Sequence, residues 1–116
     1  KILICRYLNM ENERVKYLID MINYMNLTNK LRLAICMSDS SCINIKYDKL
    51  EVYEKFEAIL KEFDKEYRTT LVNFAKYPLI MFAMAKIMEM TKEEQNQVAL
   101  YLFNSINYKF CKKIIR

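Results

Sequence analysis

Four cysteines, Cys5, Cys36, Cys42 and Cys111, are the residues of this chain best suited to covalent or metal chemistry. A thiolate is both a nucleophile and a soft metal ligand, so four of them could in principle close a tetrahedral all-cysteine site. Their spacing argues otherwise. There is no CxxC pair, the arrangement on which structural zinc sites and dithiol redox centres usually draw. Cys5, Cys36 and Cys111 stand among apolar neighbours, where cysteine behaves as a small buried hydrophobe. No metal and no cofactor is expected.

Two missing residue types narrow the chemistry further, since histidine and glycine are both absent. Without histidine there is no Ser-His-Asp or Cys-His pair and no HExxH zinc site. Without glycine there is no phosphate-cradling loop, dinucleotide fingerprint, standard EF-hand loop or nucleophile elbow. The carboxylates read as partners of lysines, with Glu51 and Lys55, and Glu57 and Lys61, at helical i,i+4 spacing. Glu89 comes nearest to an acid within an apolar run, but its neighbours look exposed, so it is not read as a catalytic acid. No catalytic residue is assigned, and the chain is not expected to be an enzyme.

What remains is non-covalent chemistry, and two stretches could supply it. In "YPLIMFAMAKIMEM", residues 77–90, the run Leu79 to Ala85 is apolar throughout, and Met81, Met84 and Met88 recur at steps of three and four. Methionine is favoured on surfaces that accept varied apolar partners and equally as a filler of irregular cores. Met81, Phe82, Met84 and Met88 are therefore the candidate partner-binding residues, on a groove able to take an amphipathic helix. The run is too short to span a bilayer, which takes about 20 apolar residues. The second stretch is "NYKFCKKIIR", where Lys109, Lys112, Lys113 and Arg116 occur without an acid in a chain of formal net charge +5. Interleaved with Tyr108 and Phe110, this basic patch could meet nucleic acid; cations there also complement a helix C-terminus.

The elements that position these residues read as helices. At 116 residues the chain fits a single domain, 1–116, and 53% hydrophobic with 28% charged residues is the balance of a folded globule. Val15, Leu18, Ile19, Ile22 and Met25 form one apolar stripe, with Asn26 as its expected end. Thr28 is the expected N-cap of a short helix carrying Leu31, Ala34, Ile35 and Met37. Ile43, Ile45 and Tyr47 alternate as a strand would, but no second alternating run is present to pair with them, so an extended or irregular segment is expected. Asp48 and Glu51 form a capping-box pattern opening a seam at Leu50, Tyr53, Phe56, Leu60, Phe63 and Tyr67. "TTLVNFAKY" continues as helix, Pro78 restarts one, and Thr91 with Glu94 opens a last helix bearing Val98, Tyr101, Leu102, Ile106, Phe110 and Ile114. "KILICRYL" is a further short candidate.

The expected fold is all-α, a compact bundle of about five to seven helices around a central hydrophobic helix at about 78–90. The expected function is that of a non-catalytic protein-interaction module, binding a protein partner or a second copy of itself. The alternative is a helical nucleic-acid-binding or regulatory module using the basic end. Dispersed cysteines and the lack of a signal peptide point to a cytoplasmic or other intracellular setting. A start at lysine also fits a fragment with a trimmed N-terminus.

Overall fold

Each strongly amphipathic segment folds as a helix with its apolar stripe turned inward. The computed structural model describes residues 12–40, 42–45, 47–63 and 77–106, and among them all regular structure is helical. The five helices are α1 (Glu13–Asn23), α2 (Leu27–Asp39), α3 (Lys49–Phe63), α4 (Pro78–Met88) and α5 (Lys92–Ile106). They pack as a compact all-α bundle. "KILICRYL", "TTLVNFAKY", and Phe110 and Ile114 of the last stripe lie outside the described residues.

The helix starts follow from local chemistry. Asn12 caps α1, its side-chain oxygen accepting from Val15 N–H at 3.1 Å. Asp48 caps the start of α3 by accepting from Glu51 N–H at 3.1 Å. Pro78 takes the first position of α4, where its missing N–H costs nothing, and Tyr77 before it makes no side-chain cap bond. Asn26 is not an end but a beginning. With extended backbone, it accepts from Asn29 N–H at 2.9 Å and from the Thr28 hydroxyl at 3.0 Å, so the cap of α2 is Asn26 and not Thr28. α1 has already stopped at Asn23, with Tyr24 as its C-cap.

α2 occupies the enclosed position. From Leu33 to Ser38 every residue is buried, and α2 packs most extensively on α3 while also meeting α4 and α5. Ser38, the polar member of that run, donates its hydroxyl to the Ala34 carbonyl at 2.9 Å and so carries its own partner into the core. The greasy helix is therefore not the central one. α4 buries only Ile80, Ala83 and Ile87 fully, one stripe of its surface, and lies on the outside of the bundle. Hydropathy measures how apolar a segment is, not how many neighbours surround it.

α3 differs from its expected seam at one end. Val52, Phe56 and Leu60 are buried and Tyr53 is half-buried, whereas Leu50 is 66% exposed. Phe56 and Leu60 belong to both possible stripes, so only packing chooses between Leu50 and Val52. The side chain of Phe63 and all of Tyr67 lie outside what the structure describes. Phe56 meets Phe103 of α5 at 5.3 Å between ring centroids, and Tyr47 meets the same ring at 6.2 Å. In α5, Ala99 and Phe103 are buried beside the expected Val98 and Leu102, while Tyr101 and Ile106 are half-buried. The Ile43 to Tyr47 segment is irregular as expected, and its alternation is real: Ile43 and Ile45 are buried while Asn44 is exposed. Among the described residues no helix is long and apolar enough to cross a membrane.

Replacing Phe56 by Ala removes the ring on which α3 and α5 meet and should cost about 3–5 kcal/mol of unfolding free energy. Leu50→Ala should stay within about 0.5 kcal/mol. Urea titrations of both variants check the assignment, and equal losses would contradict it.

Candidate interaction surface

The outer helix α4 is held by side chains that reach it from α5 and α1. Thr91 and Glu94 form a complete capping box: Glu94 N–H donates to Thr91 Oγ1 at 3.2 Å and Thr91 N–H donates to Glu94 Oε1 at 2.8 Å. The same carboxylate takes Arg14 Nη2 at 2.7 Å and Asn12 Nδ2 at 2.6 Å, joining the start of α1 to the start of α5. Arg14 also donates to the Glu89 carbonyl at 3.3 Å, at the end of α4. Next to Glu94, buried Gln95 donates to the Ile87 carbonyl at 3.0 Å and accepts from Asn44 N–H at 2.7 Å. At the other end of α4, the Arg32 guanidinium lies 4.1 Å above the Tyr77 ring.

Burial pushes the Glu94 carboxyl up, but its bonds from Thr91 N–H, Asn12 and Arg14, with the charge of Arg14, outweigh this and hold it below the ordinary carboxylate range. An acid satisfied so fully is a structural joint, not a proton donor. The Glu51–Lys55 and Glu57–Lys61 pairs form as their spacing predicts, at 3.1 and 3.8 Å. Glu89 is exposed. Of the thiols, Cys36 is buried and Cys42 exposed; burial, and then the Asp39 carboxylate, push Cys36 up to about 12. Cys5 and Cys111 lie outside the described residues, among which no three His, Cys, Asp or Glu side chains converge as metal ligands would.

Held in this way, α4 turns an apolar surface to solvent. Met81 is 51% exposed, Met88 47% and Phe82 45%, while Met84 is half-buried. The three methionines share an open furrow of roughly 370 Å³ with Ala85, floored by Ile80 and by Cys36 and Ser40 of the α2 end. Phe82 is not with them. One residue along a helix turns the side chain by about 100°, so Phe82 projects to the opposite flank. There its ring meets Tyr17 of α1 edge-on at 6.3 Å, with Lys86 Nζ 5.4 Å above it.

That second flank contains residues the sequence reading did not select. Tyr17, Asp20, Met21, Tyr24 and Leu79 line a furrow of roughly 390 Å³, and Glu13, Arg14, Lys86 and Glu89 border its continuation. Tyr17 and Tyr24 sit seven residues apart on the face of α1 opposite Val15 and Ile22, a large aromatic pair on the side away from the apolar stripe. That spacing was the signal available. The basic patch Lys109, Lys112, Lys113 and Arg116 lies outside the described residues.

No protein-family model, curated protein or solved structure matches this chain. Its function must be read from the surface itself. Eight large hydrophobic side chains are exposed among the described residues, and six of them, Tyr17, Tyr24, Leu79, Met81, Phe82 and Met88, belong to α1, its C-cap or α4. Scattered exposed hydrophobes are ordinary, whereas a contiguous collection marks a contact surface.

Two outcomes test the joint and the thiols. A carboxyl whose folded pKa is depressed contributes stability above its unfolded pKa, about 4.3 for glutamate, and loses it as pH falls through the lower folded value. Glu94→Gln should therefore cost about 1–3 kcal/mol at neutral pH, and the gap to the parent chain should narrow steadily below about pH 4. Denaturant midpoints across pH measure this; a gap independent of pH contradicts the ionised joint. For the thiols, iodoacetamide labelling of the folded chain at neutral pH, mapped by peptide mass, should modify Cys42 well before Cys36.

Proposed function

We propose that this chain is a non-catalytic protein-interaction module whose contact surface is the outward side of α4 together with the neighbouring side of α1. The observation that carries the reading is that, of the eight large hydrophobic side chains exposed among the described residues, six cluster on α1, its C-cap and α4. Methionine supports it chemically: Met81, Met84 and Met88 offer polarizable side chains able to re-fit against different apolar shapes. Tyr17 and Phe82 add the aromatic groups that dominate interface energetics. An intracellular, reducing setting suits Cys42, an exposed free thiol.

A photo-reactive amino acid placed at Met88 tests the reading against the same substitution at Leu50, exposed on α3. Irradiation in the cell of origin should give a discrete covalent adduct from position 88 and none from position 50. Met81→Asp, a surface change expected to alter stability by no more than about 0.5 kcal/mol, should abolish the adduct. Equal adducts from both positions, or none from position 88, would overturn the proposal.

A further inference from the structure

We infer that the occupant of this surface is a second copy of the same chain, docked about a two-fold axis that passes near the Tyr17–Phe82 pair. The inference rests on the interaction reading above and names the partner. Its first support is the layout of the face. α1 and α4 run antiparallel along it, because Leu79 lies with Tyr24, Phe82 with Tyr17, and Lys86 with Arg14. Aromatic rings thus hold the middle, an apolar end carries Asp20, and the far end carries the ionic groups. In a two-fold interface the same patch is used by both molecules, so residue i of one copy meets residue j of the other and j meets i, and only residues on the axis face their own copies. Rotation about the middle lays the Lys86 end of one copy over the Asp20 end of the other, twice, with the rings stacked between.

Charge is the second support. The groups that border the face are Glu13, Asp20 and Glu89 against Arg14 and Lys86, three acids against two bases, although the whole chain carries a formal +5. The chain's positive excess therefore lies elsewhere. A strongly acidic or basic partner finds no strong complementary field here, while a second copy meets mixed signs that pair on rotation, with an excess of only one acid on each face.

Area is the third. Tyr24 is 92% exposed, and Tyr17, Leu79, Met81, Phe82 and Met88 lie between 42% and 51%. Applied to large side chains of about 150–250 Å² each, these exposures amount to roughly 650 Å² of surface. Spread over both flanks of α4 and the outer side of α1, that total compares with about 300–600 Å² for the largest apolar patch on a typical monomer. With a polar rim it approaches the roughly 800 Å² that each partner contributes to a standard stable interface. Ala85, exposed between the two flanks of α4, leaves room for close approach of the partner's helix.

Sedimentation equilibrium of the purified 116-residue chain, from about 1 to 100 µM, reads the result directly. The expected mass rises from that of a 14.1 kDa monomer to double it. Phe82→Asp and Ala85→Arg should each raise the dissociation constant by roughly a hundredfold or more, because each change is present twice at a two-fold contact. Leu50→Asp should leave it unchanged, and circular dichroism of each variant confirms that it is folded. A chain monomeric at about 100 µM, or a dimer broken by Leu50→Asp but not by the α4 variants, overturns the inference. If the chain is monomeric while the probe at position 88 traps a different protein, self-association fails and the interaction reading survives; if neither dimer nor adduct forms, both fail.

Discussion

A carboxylate withdrawn from water must be given hydrogen bonds and an opposite charge, and Glu94, in the first turn of α5, receives both. Its side chain, 9% exposed, closes the capping box with Thr91 and at the same time holds Arg14 and Asn12, residues 80 and 82 positions away in sequence. Asn12 is itself the cap of α1, so the first turns of α1 and α5 share one hydrogen-bonded unit. Gln95 extends it by spanning the Asn44 amide and the Ile87 carbonyl. Two adjacent side chains thereby fix α1, the end of α4, the start of α5 and the irregular segment before α3. The polar groups of several helix ends and of one irregular segment are satisfied at one place, which leaves the rest of the core free to be apolar.

This arrangement explains how a helix with only one buried stripe is nevertheless firmly placed. The burial of Ile80, Ala83 and Ile87 provides adhesion without direction, because the hydrophobic effect is roughly proportional to area. Direction comes from the bonds to the Ile87 and Glu89 carbonyls at one end of α4 and from the stacking of Arg32 on Tyr77 at the other. α2 needs less of this, since its neighbours surround it and packing alone leaves it one position.

Much of the helical order was legible because caps and apolar periods are local. Asp48, Pro78 and the Thr91–Glu94 box act within four residues of where they stand, and Val15, Leu18, Ile19, Ile22 and Met25 are all buried as their spacing implies. The misreadings share a cause, which is that distant partners leave no mark on a local pattern. Asparagine can close one helix or open the next, and Asn26 opens α2 because α1 had already ended. Leu50 and Val52 fit their stripe equally well until α2 chooses between them. Thr91 and Glu94 announce a helix start, but nothing near them announces Asn12 and Arg14. The candidate site was half legible: Met81, Met84 and Met88 share a furrow as their spacing predicts, but Phe82 belongs to the other flank and finds Tyr17, which only the antiparallel pairing of α1 and α4 brings near.

The polar joint and the apolar face are connected through the cost of binding. Association must overcome the ordering of whatever surface it uses, and a surface already ordered spends less of its contact energy on that step. α4 presents its side chains from a regular helix tied at both ends, so its backbone has little freedom left to lose. Its methionines keep the opposite property, since an unbranched thioether side chain can adjust its rotamers to the shape placed against it. A fixed backbone carrying adaptable side chains would suit the contact surface proposed above, because it can accept an imperfect fit. Such a surface can stay exposed because Ile80, Ala83 and Ile87 anchor the helix beneath it, while the net positive charge of the chain opposes indiscriminate collapse of one molecule onto another.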